Sequence, residues 1–177
     1  MDTNTILPQD YSDMGSDKLE VVQYCQTLAP SGIFVDVGVR KGGTALLSFN
    51  TNACTKLICI DPYLQFNDMQ GRPIEMDADW YEQTKQLLDK EAERLQKPYI
   101  FHKMTSEDYI KIADLEIKYA FVLLDGAHVD DVVAKEIQFF LKHMEPNGVI
   151  LVDNTDWLNL SFDDWNRPRF DMAYRVF

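Results

Sequence analysis

The stretch YAFVLLDGAHVDDVVAKEIQFFLKHMEPNGVILVDN, residues 119–154, decides the fold. Residues 119–124 form an apolar run too hydrophobic to face water, which suits a buried parallel strand. Residues 128–144 set Val132, Val133, Ile137, Phe140, Leu141 and Met144 on one helical stripe, with acids and lysines opposite. Pro146-Asn147-Gly148 stops that helix, and residues 149–152 supply a second buried strand. Polar groups stand just past both strands: Asp125 and His128 after the first, Asp153 and Asn154 after the second. Ligands of open α/β sheets bind at the carboxyl ends of the strands. Three oxygen-bearing side chains and one imidazole therefore meet at one mouth.

The rest of the chain repeats this alternation. Residues 1–14 are polar and irregular and read as a loosely held arm, leaving residues 15–177 as a single domain. Ser16 caps a helix to about residue 28, with Leu19, Val22, Cys25 and Leu28 facing inward, and Pro30-Ser31-Gly32 breaks it. Residues 33–37 make a strand with Asp36 near its end, followed by Gly38-Val39-Arg40-Lys41-Gly42-Gly43 and a helix over 44–49. The next strand, 57–60, ends at Asp61-Pro62-Tyr63, and residues 64–76 read as a loop able to cover the mouth. A helix over 77–96, a strand over 99–102 and a short helix over 106–115, with Ser106 and Glu107 at cap positions, complete the approach. Such alternation implies an α/β, doubly wound, mostly parallel sheet with right-handed crossovers.

Composition narrows the function. At 177 residues the chain is one domain, with ordinary apolar (46%) and charged (26%) content. A net charge of −12 argues against a nucleic-acid partner, whose backbone asks for a basic face. No apolar run approaches the roughly 18 residues of a membrane span. The opening MDTNTILPQDYSDMGSDK lacks the basic and apolar regions of a secretory signal, which gives a cytoplasmic expectation. Cys25, Cys54 and Cys59 lack metal-ligand spacing and read as buried, reduced thiols.

In VDVGVRKGG, Gly38 permits a sharp turn, while Gly42 and Gly43 let a ligand approach the following helix N-terminus. Asp61 ends the next strand at a spacing suited to gripping the two hydroxyls of a ribose. Together these features point to a nucleoside ligand. A nicotinamide site prefers GxGxxG, whereas these glycines run GxxxGG behind a strand-end acid. The oxygen-only set Asp125, Asp153 and Asn154 suits Mg²⁺, or Mn²⁺ or Ca²⁺, rather than zinc.

The pattern FVDVGVRKGGTALL…ICIDPY…HKMTSEDY…YAFVLLDGAHVDDVVAKEI…GVILVDN resembles the class I S-adenosylmethionine-dependent methyltransferases, over about residues 32–154. More narrowly it is similar to the branch containing small-molecule O-methyltransferases of catechol and macrolide-sugar type. The resemblance implies that Asp36, Gly38 and Gly42 line the methionine side of the donor, that Asp61 holds the ribose and that Ser106 contacts the adenine. It also implies a metal on Asp125, Asp153 and Asn154 and a catalytic base at the place of His128. Asp125 and His128 are thus the candidate catalytic pair, although a helix-start histidine also serves simply to cap or pack. The acceptor implied is a small hydroxylated molecule; Asp156, Trp157 and Trp165 follow the Asp-Asn pair and could wall its pocket.

The family's sheet adds two further strands after the fifth, yet only residues 155–177 follow Asn154 here. The expectation is a Rossmann-like sheet of order 3-2-1-4-5 with its C-terminal strands shortened or missing, holding at most one more strand over 172–177. An uncovered fifth strand would be a pairing hazard. Either the terminal arm or a second copy, in a homo-oligomer, is expected to cover it. Other classes of function are a donor-binding remnant without turnover and, less in keeping with the glycines, a nicotinamide-dependent oxidoreductase.

Overall fold

The computed structural model describes residues 16–64, 66–67, 73–74, 79–126, 130–153 and 173–176. In chain order the elements are α1 (Ser16–Leu28), β1 (Gly32–Val37), α2 (Gly43–Asn50), β2 (Cys54–Ile60), β3 (Phe66–Asn67), β4 (Pro73–Ile74), α3 (Trp80–Leu95) and β5 (Tyr99–His102). They continue with α4 (Ser106–Ile112), β6 (Tyr119–Leu124), α5 (Asp130–Lys142), β7 (Met144–Val152) and β8 (Ala173–Val176). The main sheet runs β5-β2-β1-β6-β7-β8, its first five strands parallel and β8 antiparallel to β7. Its five parallel strands have the expected order 3-2-1-4-5, the arrangement of a Rossmann-like methyltransferase fold.

Alternation along the strands builds the two sides of the core. Phe34, Leu57, Cys59, Phe121, Leu123, Val149 and Leu151 pack with Val22, Cys25, Leu46, Phe49 and Leu88 on the side of α1, α2 and α3. Their neighbours Val35, Val37, Ile58, Ile60, Val122, Leu124 and Ile150 pack with Tyr109 and Phe140 on the side of α4 and α5. A strand covered on both faces must be apolar throughout, and all six residues of β6 are buried. The three cysteines are buried and free.

Several boundaries differ from the expectations. Helix α5 stops at Lys142 because the Tyr119 N–H takes the His143 carbonyl (2.8 Å), tying the chain to β6 before Pro146 is reached. Pro146-Asn147-Gly148 therefore lies within the span of β7, where Asn147 has a φ of 64° and the pairing with β6 shifts register. The loop over 64–76 contains a short antiparallel pair, Phe66 opposite Ile74 and Asn67 opposite Pro73. Thr105, not Ser106, caps α4: its side chain accepts from the Asp108 N–H at 3.1 Å. The arm over 1–14 lies outside the described residues.

The expected weak flank is closed by the chain itself. β8 pairs with β7 from Val149–Val176 to Val152–Ala173. With that edge paired, the argument for a second copy at the fifth strand falls away. Among the described residues no helix is long and apolar enough to cross a membrane.

Candidate active site

Four candidate residues stand on one line across the carboxyl ends of the parallel strands. The Asp153 N–H donates to the Leu124 carbonyl (3.0 Å), Asp125 N–H to Val37 (2.9 Å), Gly38 N–H to Ile60 (2.9 Å) and Asp61 N–H to His102 (3.1 Å). Each is the first residue past its strand, held by the last residue of the next one. With strands about 4.8 Å apart, this rung spans roughly 14 Å from Asp153 to Asp61.

At one end is the glycine loop. Gly38 and Gly42 have φ of 91° and 90°, a region that side chains resist. Space forbids a side chain at Gly38 as well, since a Cβ would lie 2.2 Å from the Asp125 carbonyl oxygen. No side chain caps α2 at Gly42, so its N-terminal amides and positive dipole end are available to a ligand. Asp61 organises the loop: one oxygen accepts from the Arg40 N–H (2.8 Å) and the other from the Tyr63 N–H (2.7 Å). Burial raises its pKa, opposed by those two hydrogen bonds. Two hydroxyls, Tyr63 Oη (2.5 Å) and Thr84 Oγ1 (2.9 Å), donate to the Arg40 carbonyl, which fixes Arg40 at a φ of 49°. The Arg40 guanidinium and the Lys41 ammonium lie 5.3 and 4.9 Å from the Trp80 ring centre. Tyr63, Tyr81 and Phe101 stack edge to face and tilted beside them.

Asp36 lies beneath the loop and is fully buried. Its Oδ2 accepts from Thr44 Oγ1 (2.7 Å), while Oδ1 is buried without a hydrogen-bond partner. Burial pushes its pKa up to about 7, with Thr44 opposing and the charge of Asp61 adding. An orphan acceptor there fits a cationic or N–H-bearing ligand at the glycine end of the mouth.

At the other end, Asp125 and Asp153 face each other. Burial first, and then the charge of Asp153, hold the Asp125 carboxyl well above the usual range, with the Lys18 charge opposing. Lys18 reaches across from α1, its Nζ 2.9 Å from Asp153 Oδ1. Among the described residues no group of three or more His, Cys, Asp or Glu side chains gathers to hold a metal. The pair nevertheless offers only hard oxygen donors, the chemistry that suits a divalent cation. His128 and Asn154, the remaining expected members, lie outside the described residues, as do Asp156, Trp157 and Trp165.

Ser106 is buried at the start of α4, just after β5, and so lies at the same edge of the sheet as Asp61. Sequence reading missed the partners of Thr44 and Thr84; Thr84 follows Trp80 by four residues on one helical stripe, a spacing that marks an inward position but names no partner. It also missed Lys18, which lies 135 residues from Asp153 and carried no signal.

A family model described as "Methyltransferase domain" matches residues 35–155, most of the chain. No curated protein matches by sequence. Among solved structures, the fold is similar to the O-methyltransferase TomG of Streptomyces achromogenes, solved with SAM (15% identity, TM-score 0.58, covering 90% of this chain and 64% of that one). It is similar too to a Klebsiella pneumoniae protein provisionally assigned as an O-methyltransferase (12%, TM-score 0.60, 89% and 62%). A third is an rRNA methylase of Streptococcus thermophilus (13%, TM-score 0.52, 80% and 72%). The chain thus spans under two thirds of the length of the first two. With a glycine loop and Asp61 cradle on a 3-2-1-4-5 sheet, inside the matched span, this chain belongs to the methyltransferase-domain family.

Proposed function

We propose that the protein transfers a methyl group from S-adenosylmethionine to a hydroxyl of a small molecule, assisted by a hard divalent cation such as Mg²⁺. The observation that carries this reading is the single rung joining Asp61, Gly38, Asp125 and Asp153, with a nucleoside cradle at one end and paired acids at the other. Asp61 would accept from the ribose hydroxyls, the glycine loop would admit the methionine portion, and the unpartnered Asp36 oxygen would meet its ammonium. Ser106 is our candidate for the adenine contact. Asp125, Asp153 and Asn154 would hold the cation. When bound, that ion lowers the pKa of an acceptor hydroxyl and orients it. His128 is assigned the role of base, its imidazole being suited to proton removal near neutral pH. The sulfonium already activates its methyl, since the C–S bond breaks to release a neutral thioether, so the protein's main contribution is alignment for in-line attack.

A net charge of −12 weighs against an RNA acceptor. Residues 15–177 are proposed to act as one domain in the cytoplasm. The test pairs calorimetry with assay. S-adenosylhomocysteine should bind, and S-adenosylmethionine with a panel of catechols and sugars should give a product heavier by one methyl, suppressed by a chelator. Absence of S-adenosylhomocysteine binding, with NAD⁺ bound instead, would overturn the donor assignment. Transfer that is indifferent to chelation would remove the cation.

A further inference from the structure

Lys18 occupies a costly position for a lysine. It sits in the first turn of α1 (Ser16–Leu28), where the helix dipole disfavours a cation. What holds it there is Asp153: the ammonium lies 2.9 Å from Oδ1 of a carboxylate whose side chain is only 5% exposed, against 29% for Lys18. Asp125 adjoins the same carboxylate, and Lys18 is the cation that offsets this pair. The two acids therefore already have a counter-ion supplied by the chain.

We infer that Lys18 is a displaceable counter-cation, which must leave Asp153 before a divalent ion can bind the acid pair. The inference rests on the reading of Asp125 and Asp153 as the cation site. The geometry sets the two occupants in competition for the Asp153 carboxyl. A divalent ion would bond to a carboxylate oxygen at about 2.1–2.6 Å. Nζ on that same oxygen would then lie within roughly 5 Å of it, two like charges sharing one partly buried carboxylate. Lysine can yield, because its ammonium rides on a flexible four-carbon stem and the side chain has a path to solvent. Lys18 thereby sets the cation affinity: without metal it holds the Asp153 side chain in place, and on metal binding it must move outward. In such a design the resting site is not an uncompensated pair of acids.

The test is Mn²⁺ titration of the full chain, read by water-proton relaxation, on the wild type and on Lys18→Met, Lys18→Arg and Asp153→Asn. Lys18→Met should bind Mn²⁺ at least about tenfold more tightly than the wild type, Lys18→Arg should resemble the wild type, and Asp153→Asn should bind weakly or not at all. Melting temperatures in chelator and in Mn²⁺ supply a second readout: Lys18→Met should melt lower than wild type in chelator and gain more on adding Mn²⁺. Saturable wild-type binding that Lys18→Met leaves unchanged or weakens would overturn the role of Lys18 while the cation site stands. If neither the wild type nor Lys18→Met binds Mn²⁺, the cation site itself fails and the inference goes with it. Should Lys18→Met not fold, Lys18→Gln carries the same comparison.

Discussion

A Cβ on Gly38 would stand 2.2 Å from the carbonyl oxygen of Asp125. The glycine loop and Asp125, the first residue past β6, are therefore closely packed through their backbones, and neither can shift without the other. Gly38→Ala combines that clash with a positive φ. It should destabilise the protein by about 2–4 kcal/mol, measured as a shift in urea midpoint, and should weaken S-adenosylhomocysteine binding even where the fold survives.

Asp61→Ala removes the acceptor of two backbone amides as well as the proposed ribose contact. Donor affinity should fall by roughly 10- to 100-fold, about 1.4–2.7 kcal/mol, in calorimetry. Asp61→Asn, which keeps one carbonyl acceptor, should lose less. Equal donor affinity in all three proteins would disprove the ribose role.

The Arg40 carbonyl accepts from both Tyr63 and Thr84. Tyr63→Phe or Thr84→Val alone leaves it one donor, so each should cost about 1 kcal/mol or less. The double variant removes both of these donors and should lose more than the sum of the singles, a coupling readable in a double-mutant cycle of donor affinity.

Glu136 is buried in α5, and burial pushes its pKa up to about 7 from 4.5, with the Ser106 side chain opposing and the charge of Glu107 adding. Asp36 is raised from 3.8 to about 7, also by burial. A raised carboxyl pKa means that the folded state binds more protons than the unfolded chain across that window. Stability should therefore fall as pH rises from about 4 to 7, rather than climb. Glu136→Gln should flatten part of this slope, being more stable than wild type by about 1–3 kcal/mol at pH 8 and close to it at pH 4. Thermal or urea unfolding across pH would show it; an unchanged slope would refute the assignment.

Removing residues 172–177 takes away β8 and leaves β7 as an open sheet edge. Light scattering should then detect oligomers or aggregates absent from the intact chain. A truncated chain that stays monomeric and equally stable would show that β8 is dispensable.

The parts of this architecture that were legible are those set by local pattern. A six-residue apolar run such as YAFVLL, bounded by polar and glycine residues, reads as a buried strand, and Gly38 with Asp61 marks a turn and a strand end. Once strand and helix alternate, chirality leaves few sheet orders. What escaped depended on distant partners. The end of α5 is set by the hydrogen bond from Tyr119 to His143, which no helical periodicity encodes. The cap expected at Ser106 is made by Thr105 instead, a shift of one residue that only the backbone decides. Lys18 reads as one more surface charge until α1 is laid against the end of β7.

The pairing of Val152 with Ala173 has a further consequence. The chain leaves the sheet after Val152 and re-enters it at Ala173, directly alongside. Ring closure becomes dearer only as the logarithm of its length. Evolution could lengthen, shorten or exchange that excursion at a cost of about 0.6 kcal/mol per doubling, leaving every register in the sheet as it is. Within this arrangement, changes of length between β7 and β8 are more readily absorbed than substitutions in the core.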